Sequence, residues 1–284
     1  MSQTQASLRG GPEPLVSVRG LRTLFATERG SVRAVDGVDL DIHKGRSLGI
    51  VGESGCGKTV LSRSIMGLLP STAHREGSVR YEGHELVGKS VGSMRRFWGQ
   101  EMSMVFQNPM VSLNPVMRIG EQIAEPLRIH LGMSKSDARD TALQLLEEVR
   151  IPEPKRRLRQ YAHELSGGMR QRVVIAIALS CGPAILFADE PTTALDVTVQ
   201  SQILDLIAER RQDRNMAVVL VTHDLGVVAG HTHEIAVMYA GKIVERAPTK
   251  ELFTNVKMPY TRSLLQSIPR LDDEPHTRLH AISG

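Results

Sequence analysis

The residues with the clearest chemistry form a glycine-rich run that ends in lysine and threonine, at positions 52–59. The run GESGCGKT matches the pattern G-x-x-x-x-G-K-[ST], which is typical of a phosphate-binding loop, or P-loop. Its glycines let successive backbone N–H groups turn toward phosphate oxygens, and a following helix presents its positive end. We expect Lys58 to reach the β- and γ-phosphates of ATP and the Thr59 hydroxyl to bind Mg²⁺. The predicted nucleotide-binding residues are Gly52, Ser54, Gly55, Cys56, Gly57, Lys58 and Thr59.

A second candidate site is a pair of carboxylates, Asp189 and Glu190, that follows the apolar run at 184–188. The run predicts a buried strand, and nucleotide sites form at the carboxyl ends of parallel strands. Asp189 is expected to hold Mg²⁺, directly or through water, and Glu190 to orient and polarise the attacking water. An isolated acidic pair could equally begin an ordinary loop, but the P-loop earlier in the chain favours the catalytic interpretation.

A third motif is LSGGMRQ at 165–171, in which a serine and two glycines open a predicted helix. The Ser166 hydroxyl and the free amides of Gly167 and Gly168 would form a further anion site. A lone Ser-Gly-Gly is also a common loop sequence, so this motif gains its meaning from its place shortly before the Asp189 strand.

Together these motifs resemble those of the ATP-binding-cassette (ABC) ATPases, and the resemblance spans about residues 15–270. The segment 165–171 is similar to the signature sequence of that family. The resemblance implies that Gln107 senses Mg²⁺ and the nucleotide, and that Asp196 belongs to a D-loop beside the nucleotide. It also implies that His223 is a switch histidine.

The same resemblance implies that Phe25 stacks on adenine, although Leu24 or Arg22 could instead occupy that edge. A head-to-tail dimer is expected, in which the 166–168 loop of one subunit completes the phosphate site on the P-loop of the other. The implied catalytic residues are Lys58, Gln107, Glu190 and His223, and the implied Mg²⁺ ligands are Thr59, Gln107 and Asp189.

The elements that must position these groups alternate between strand and helix, which predicts an α/β fold. We expect a P-loop NTPase (RecA-like) core with a mainly parallel sheet, an N-terminal antiparallel β subdomain and an inserted α-helical subdomain. The predicted strands are at 15–25, 32–42, 47–51, 184–188 and 217–221, and the predicted helices are at 58–69, 120–130, 134–149 and 199–211. Ser134 is the predicted N-cap of the third helix, with Asp137 three residues on.

The predicted domain organisation has four parts. Residues 1–14 are expected to be a flexible N-terminus and 15–249 an ABC ATPase domain, with its helical subdomain at about 108–170. Residues 250–284 are expected to be a C-terminal extension of the peptide-importer type. Two segments, 105–115 and 259–269, resemble the oligopeptide, dipeptide and nickel importer branch of the family.

The composition suits a soluble globular protein, with 41% hydrophobic and 23% charged residues. The longest apolar stretch, 173–188, is shorter than the ~20 residues of a spanning helix, and the N-terminus lacks the apolar region of a signal peptide. The two cysteines fit a reducing compartment. A net charge of +4 does not indicate nucleic-acid binding.

The expected partners follow from the resemblance: a second ABC ATPase subunit, identical or different, two transmembrane permease subunits and an extracytoplasmic substrate-binding protein. The expected location is therefore the cytoplasmic face of the cell membrane. The predicted function is ATP hydrolysis that powers import of oligopeptides or dipeptides. Two alternatives are import of nickel or another small solute, and a soluble ABC ATPase that acts on nucleic acid.

Overall fold

The computed structural model describes residues 13–28, 30–193 and 195–267, with backbone only at Met110. Within these ranges the strands are β1 (Val16–Thr27), β2 (Gly30–Ile42), β3 (Ser47–Val51), β4 (Ala73–Tyr81), β5 (His84–Glu85), β6 (Met102–Val105), β7 (Ile185–Asp189), β8 (Ala217–Thr222), β9 (Glu234–Tyr239) and β10 (Lys242–Pro248). They form two sheets.

The helices in the described part are α1 (Lys58–Met66), α2 (Val91–Met94), α3 (Pro109–Ser112), α4 (Ile119–Leu131), α5 (Lys135–Glu148), α6 (Pro154–Arg157), α7 (Gly167–Leu179), α8 (Val197–Asp213), α9 (Leu225–His231), α10 (Thr249–Thr254) and α11 (Pro259–Gln266). A short 3₁₀ turn, Ala162–Glu164, precedes α7. No helix in the described ranges combines the length and the apolarity needed to cross a membrane.

The central sheet has the strand order β10-β9-β3-β8-β7-β6, and only β10 runs antiparallel to its neighbour. Every residue of β3, β7 and β8 is buried, because helices or the second sheet cover both faces. Alternate side chains of β7 therefore enter different cores: Phe187 faces α1 and the second sheet, and Leu186 faces the helices on the other side.

The second sheet is antiparallel, with the order β2-β1-β4-β5. The predicted fold class is confirmed: a P-loop NTPase core with a mainly parallel sheet, an N-terminal antiparallel sheet and a helical block between β6 and β7. In that block α4 and α5 pack together, and Ser134 caps α5 by accepting the Asp137 amide at 3.1 Å, as predicted. The helical subdomain boundaries of 108–170 remain a prediction.

Several element boundaries differ from those predicted. The helix expected to reach residue 69 ends at Met66, because Gly67 adopts φ 70° and closes it with a left-handed C-cap. The tail beyond Lys250, for which no structure was predicted, contains α10 and α11. Residues 1–12 and 268–284, which carry parts of the predicted N-terminus and C-terminal extension, lie outside the described residues.

Candidate nucleotide site

The P-loop joins β3 to α1 and folds as its glycines require. Gly52 and Gly57 have φ 154° and 109°. A Cβ atom at Gly52 would collide with the carbonyl oxygen of Met238, and one at Gly57 with that of Ala34. The loop is therefore packed between the end of β9 and the edge of β2, where only glycine fits.

Lys58 lies inside the curve of the loop and is only 5% exposed. Its Nζ donates hydrogen bonds to the carbonyl oxygens of Gly52 at 2.7 Å and Glu53 at 2.8 Å. The ammonium group is thus held by two backbone carbonyls of the loop, at the start of α1. This is where the helix end contributes its own positive potential, so the cradle suits a polyphosphate.

Asp189 ends β7 and is completely buried. Its Oδ1 accepts a hydrogen bond from Thr59 Oγ1 at 3.0 Å, but its Oδ2 has no hydrogen-bond partner among the described residues. Burial raises the pKa of Asp189 and outweighs the opposing effects of Thr59 and of the cations Arg63 and Lys58. A buried carboxylate oxygen that accepts no hydrogen bond lies beside a threonine hydroxyl. These two oxygens are ligands of the kind that Mg²⁺ binds.

Glu190 follows at φ 47°, a left-handed conformation that is uncommon for a residue with a side chain. Its Oε2 accepts hydrogen bonds from Gln107 Nε2 at 2.7 Å and Thr193 Oγ1 at 3.0 Å, and its Oε1 lies 3.1 Å from His223 Nδ1. Four side chains from three segments of the chain thus meet at the carboxyl end of the central sheet.

The pKa of Glu190 lies below its usual value. Burial acts to raise it, but the hydrogen bonds from His223, Thr193 and Gln107 and the charge of His223 outweigh burial. Glu190 is therefore ionised at neutral pH and is held in one orientation by its donors. A fixed carboxylate of this kind can orient a water molecule and accept its proton.

Two residues of this site were not predicted from the sequence. Thr193 donates to Glu190, and its position three residues further on was the available signal. Arg63 follows Thr59 by four residues on α1, the spacing of neighbours on one helix face, and its charge acts on Asp189. Its guanidinium carbon also lies 5.8 Å from the centre of the Phe106 ring.

The signature residues form a separate group. Ser166 caps α7 and accepts the Met169 amide at 3.3 Å, so the motif opens a helix as predicted. Asp196 caps α8 and accepts the Val199 amide at 2.9 Å. Val199 also limits the space at Gly168, where a Cβ would come within 2.8 Å of its Cγ1. No hydrogen bond or ion pair among the described residues connects Ser166, Gly168 or Asp196 to the P-loop.

Phe25 lies in β1, half-buried, opposite Val32 of β2. Two residues further along β2 is Ala34, whose carbonyl oxygen faces Gly57 of the P-loop. Of the alternatives, Arg22 has its Nε 3.3 Å from Asp36. The stacking of Phe25 on adenine remains a prediction.

The fold and this cluster define a P-loop nucleotide-hydrolysing protein. Residues 35–193 match the family model of the ABC transporter, and residues 244–284 match that of the oligopeptide/dipeptide transporter, C-terminal region. The chain therefore belongs to the ATP-binding-cassette transporter family, as an ATP-binding subunit with ATPase activity.

Similar proteins include the dipeptide transport ATP-binding protein DppD of Bacillus subtilis, which is 51% identical over 262 residues, or 92% of this chain and 78% of the relative. The oligopeptide transport ATP-binding protein OppD of Salmonella typhimurium is 46% identical, over 93% of this chain and 79% of the relative. A similar solved structure is the dimeric, post-hydrolysis state of the ATP-binding cassette MJ0796 bound to ADP and Pi. It superposes with a TM-score of 0.75 at 27% identity, over 82% of this chain and 98% of the other.

Proposed function

We propose that this chain is the ATP-hydrolysing subunit that powers import of oligopeptides or dipeptides through a membrane ABC transporter. The observation that carries the proposal is that one chain contains two segments that match transporter families. The cassette match at 35–193, with its assembled carboxylate cluster, is followed further along the chain by a match to the oligopeptide/dipeptide transporter C-terminal region at 244–284. The relatives DppD and OppD, whose names specify dipeptide and oligopeptide transport, support the same cargo class.

Thr59, Asp189 and Gln107 are the proposed ligands of Mg²⁺. When bound, Mg²⁺ would neutralise charge on the phosphate oxygens during transfer. The unpartnered Oδ2 of Asp189 supports this role, since the carboxylate is fully buried and only its Oδ1 accepts a hydrogen bond. Lys58 and the amides of the P-loop would hold the phosphates, and Phe25 would stack on the adenine ring.

Glu190 is the proposed general base, which aims the attacking water and receives its proton. His223 and Gln107 hold the carboxylate from opposite oxygens, and each donor also keeps it ionised. Placement and proton transfer of this kind contribute about 10²- to 10⁴-fold to a rate. The chain's own groups thus supply positioning and charge, which are the main demands of phosphoryl transfer.

The site is proposed to be shared between two ABC subunits arranged head to tail. Ser166, Gly167, Gly168 and Asp196 would complete the phosphate site on the P-loop of the partner, which is identical or different. Their separation from the chain's own P-loop contacts and the dimeric state of MJ0796 support this arrangement.

Two permease subunits and an extracytoplasmic binding protein complete the proposed transporter, and the chain would sit at the cytoplasmic face of the membrane. The helical subdomain at about 108–170 is the proposed permease contact. Val111 and Val116, each 82% exposed, are two apolar side chains in this block that are available for such a contact. Residues 15–249 would form the ATPase domain, and 250–284 the extension.

The cargo is tested by ATP hydrolysis in the complex reconstituted with its permeases in proteoliposomes. The binding protein is supplied with a dipeptide, an oligopeptide or Ni²⁺ in turn, and duplex DNA is added to the free chain in a separate arm. Stimulation by a peptide alone is expected. Stimulation by Ni²⁺ alone would favour the metal importer, and stimulation by DNA would contradict the transport function.

The shared site is tested by mixing two inactive variants, Lys58→Ala and Ser166→Arg. In a mixed head-to-tail dimer one site combines an intact P-loop with an intact signature loop, so ATPase activity should return. If the partner is a different subunit, one change is placed in each subunit; both then disable the same composite site, so the doubly changed complex should lose no more activity than either singly changed complex. Variants that remain inactive on mixing, although each still dimerises, would contradict the arrangement.

A further inference from the structure

The outer side of the P-loop is held by residues that take no part in the proposed chemistry. The amide of Gly241, in the turn after β9, donates to the Cys56 carbonyl at 2.9 Å. On the other flank the amide of Glu53 donates to the Tyr260 hydroxyl at 3.1 Å, across 207 positions of sequence. Tyr260 belongs to α11, within the segment 244–284 that matches the oligopeptide/dipeptide transporter C-terminal region.

Tyr260 is itself firmly placed. Glu245 of β10, only 8% exposed, accepts the amides of Lys257 at 2.8 Å and Met258 at 3.2 Å, immediately before α11 begins. The Tyr260 ring lies 4.5 Å, centre to centre, from the Tyr239 ring. A carboxylate that binds two backbone amides and a ring pair together fix the start of the helix against the central sheet.

The P-loop needs such support because its conformation is intrinsically loose. Gly52, Gly55 and Gly57 all have positive φ, and glycine loses more backbone freedom on ordering than any other residue. A loop that must be ordered when the ligand arrives binds less tightly than one already held in the binding conformation.

We propose that Tyr260 is a positioning residue for ATP, whose hydroxyl holds the Glu53 amide and keeps the P-loop in its phosphate-binding curve. The proposal rests on the proposed role of 52–59 as the ATP site, and it gives the C-terminal extension a function at that site. The hydroxyl bonds to none of Thr59, Asp189 or Glu190. It therefore acts on nucleotide affinity and leaves the hydrolytic step itself unaltered.

The test compares Tyr260→Phe with a matched control, Tyr239→Phe, in the full chain assembled with its partners. Each variant removes one hydroxyl from the same ring pair, but the Tyr239 hydroxyl makes no hydrogen bond with the residues that the structure describes. Loss of one hydrogen bond should raise the KM and the Kd for Mg·ATP about 3- to 10-fold in Tyr260→Phe, with kcat within about twofold of wild type. The control should match wild type.

A second measurement uses no nucleotide. Amide hydrogen exchange in the peptide that covers 52–58 should be faster in Tyr260→Phe than in wild type or Tyr239→Phe. This result would support the tether even if the chain hydrolysed no ATP, so failure of the ATPase function is distinguishable. Equal exchange and equal KM in the two variants would overturn the proposal. An equal rise of KM in both would also overturn it, because ring packing and not the hydroxyl would then be responsible.

Discussion

Replacing Asp189 by asparagine should affect the stability of the fold and the affinity for nucleotide in opposite directions. The wild-type carboxylate is fully buried, and its Oδ2 has no hydrogen-bond partner among the described residues. A buried unsatisfied polar group costs about 1–3 kcal/mol, and more when it is charged. Asparagine keeps an oxygen for the Thr59 hydroxyl and removes the charge. The asparagine Nδ2 takes the place of Oδ2 and is equally without a partner, so the substitution removes only the part of the cost that comes from the charge. We therefore expect nucleotide-free Asp189→Asn to be more stable by about 1 kcal/mol, which corresponds to about 2–4 °C in Tm.

With Mg·ATP the order of stability should reverse. A ligand at 100 times its Kd stabilises the folded state by about 2.7 kcal/mol, and Asp189→Asn should lose most of this because a proposed Mg²⁺ ligand has lost its charge. The measurement is thermal unfolding in EDTA and in Mg·ATP. The control is Asp205→Asn, an exposed carboxylate on α8 whose replacement should change stability by less than about 0.5 kcal/mol. Lower stability of Asp189→Asn in EDTA, or an undiminished shift with Mg·ATP, would refute the reasoning.

The remaining predictions concern the proposed general base Glu190, its hydrogen-bond donor Thr193, and His233, which immediately precedes β9. Glu190→Gln should lower kcat about 10²- to 10⁴-fold in phosphate-release assays and leave the Kd for Mg·ATP within about threefold of the wild-type value. A kcat within about tenfold of wild type would exclude Glu190 as the general base. Thr193→Ala should raise the pKa of Glu190 and move the acid limb of the rate profile to higher pH, whereas Thr193→Ser should not. Burial lowers the pKa of His233, and the charges of Arg211 and Arg46 lower it further. The contribution of the neutral His233 to stability is therefore present above about pH 6.5 and is lost as the pH falls through the folded-state pKa. His233→Asn keeps an acceptor for the Ser47 amide and should weaken this pH dependence in urea unfolding at pH 5 to 8; an unchanged dependence would argue against His233 as its source.

The parts of the site that could be predicted are those determined by local sequence. The P-loop lies between β3 and α1 as expected, because a short buried strand, a glycine turn and a helix start are all determined within a few residues. Asp189 ends β7 for the same reason, because an apolar run followed directly by two carboxylates predicts a buried strand that ends at the carboxylates. The Ser134 cap of α5 was equally local.

The parts that could not be predicted depend on contacts between distant segments. Two of the donors of Glu190, Gln107 and His223, come from segments that are far from it in the sequence. Strand β10 and helix α11 were not predicted, because their mixed sequences acquire order by packing on the central sheet. Strand β9 was also not predicted, although its apolar run was a local signal of the same kind as that of β7. The hydrogen bond between Glu53 and Tyr260 spans 207 positions of the sequence, so no local pattern indicates it.

The central claim is that ATP hydrolysis at this site powers peptide import, and peptide uptake tests it most directly. The complex would be reconstituted in proteoliposomes with ATP on the side of this chain and labelled peptide with the binding protein on the other. We expect peptide to accumulate against a gradient with the wild-type chain, and not with Glu190→Gln, although that variant still binds Mg·ATP. Equal accumulation with Glu190→Gln, or wild-type ATP hydrolysis without any peptide uptake, would contradict it.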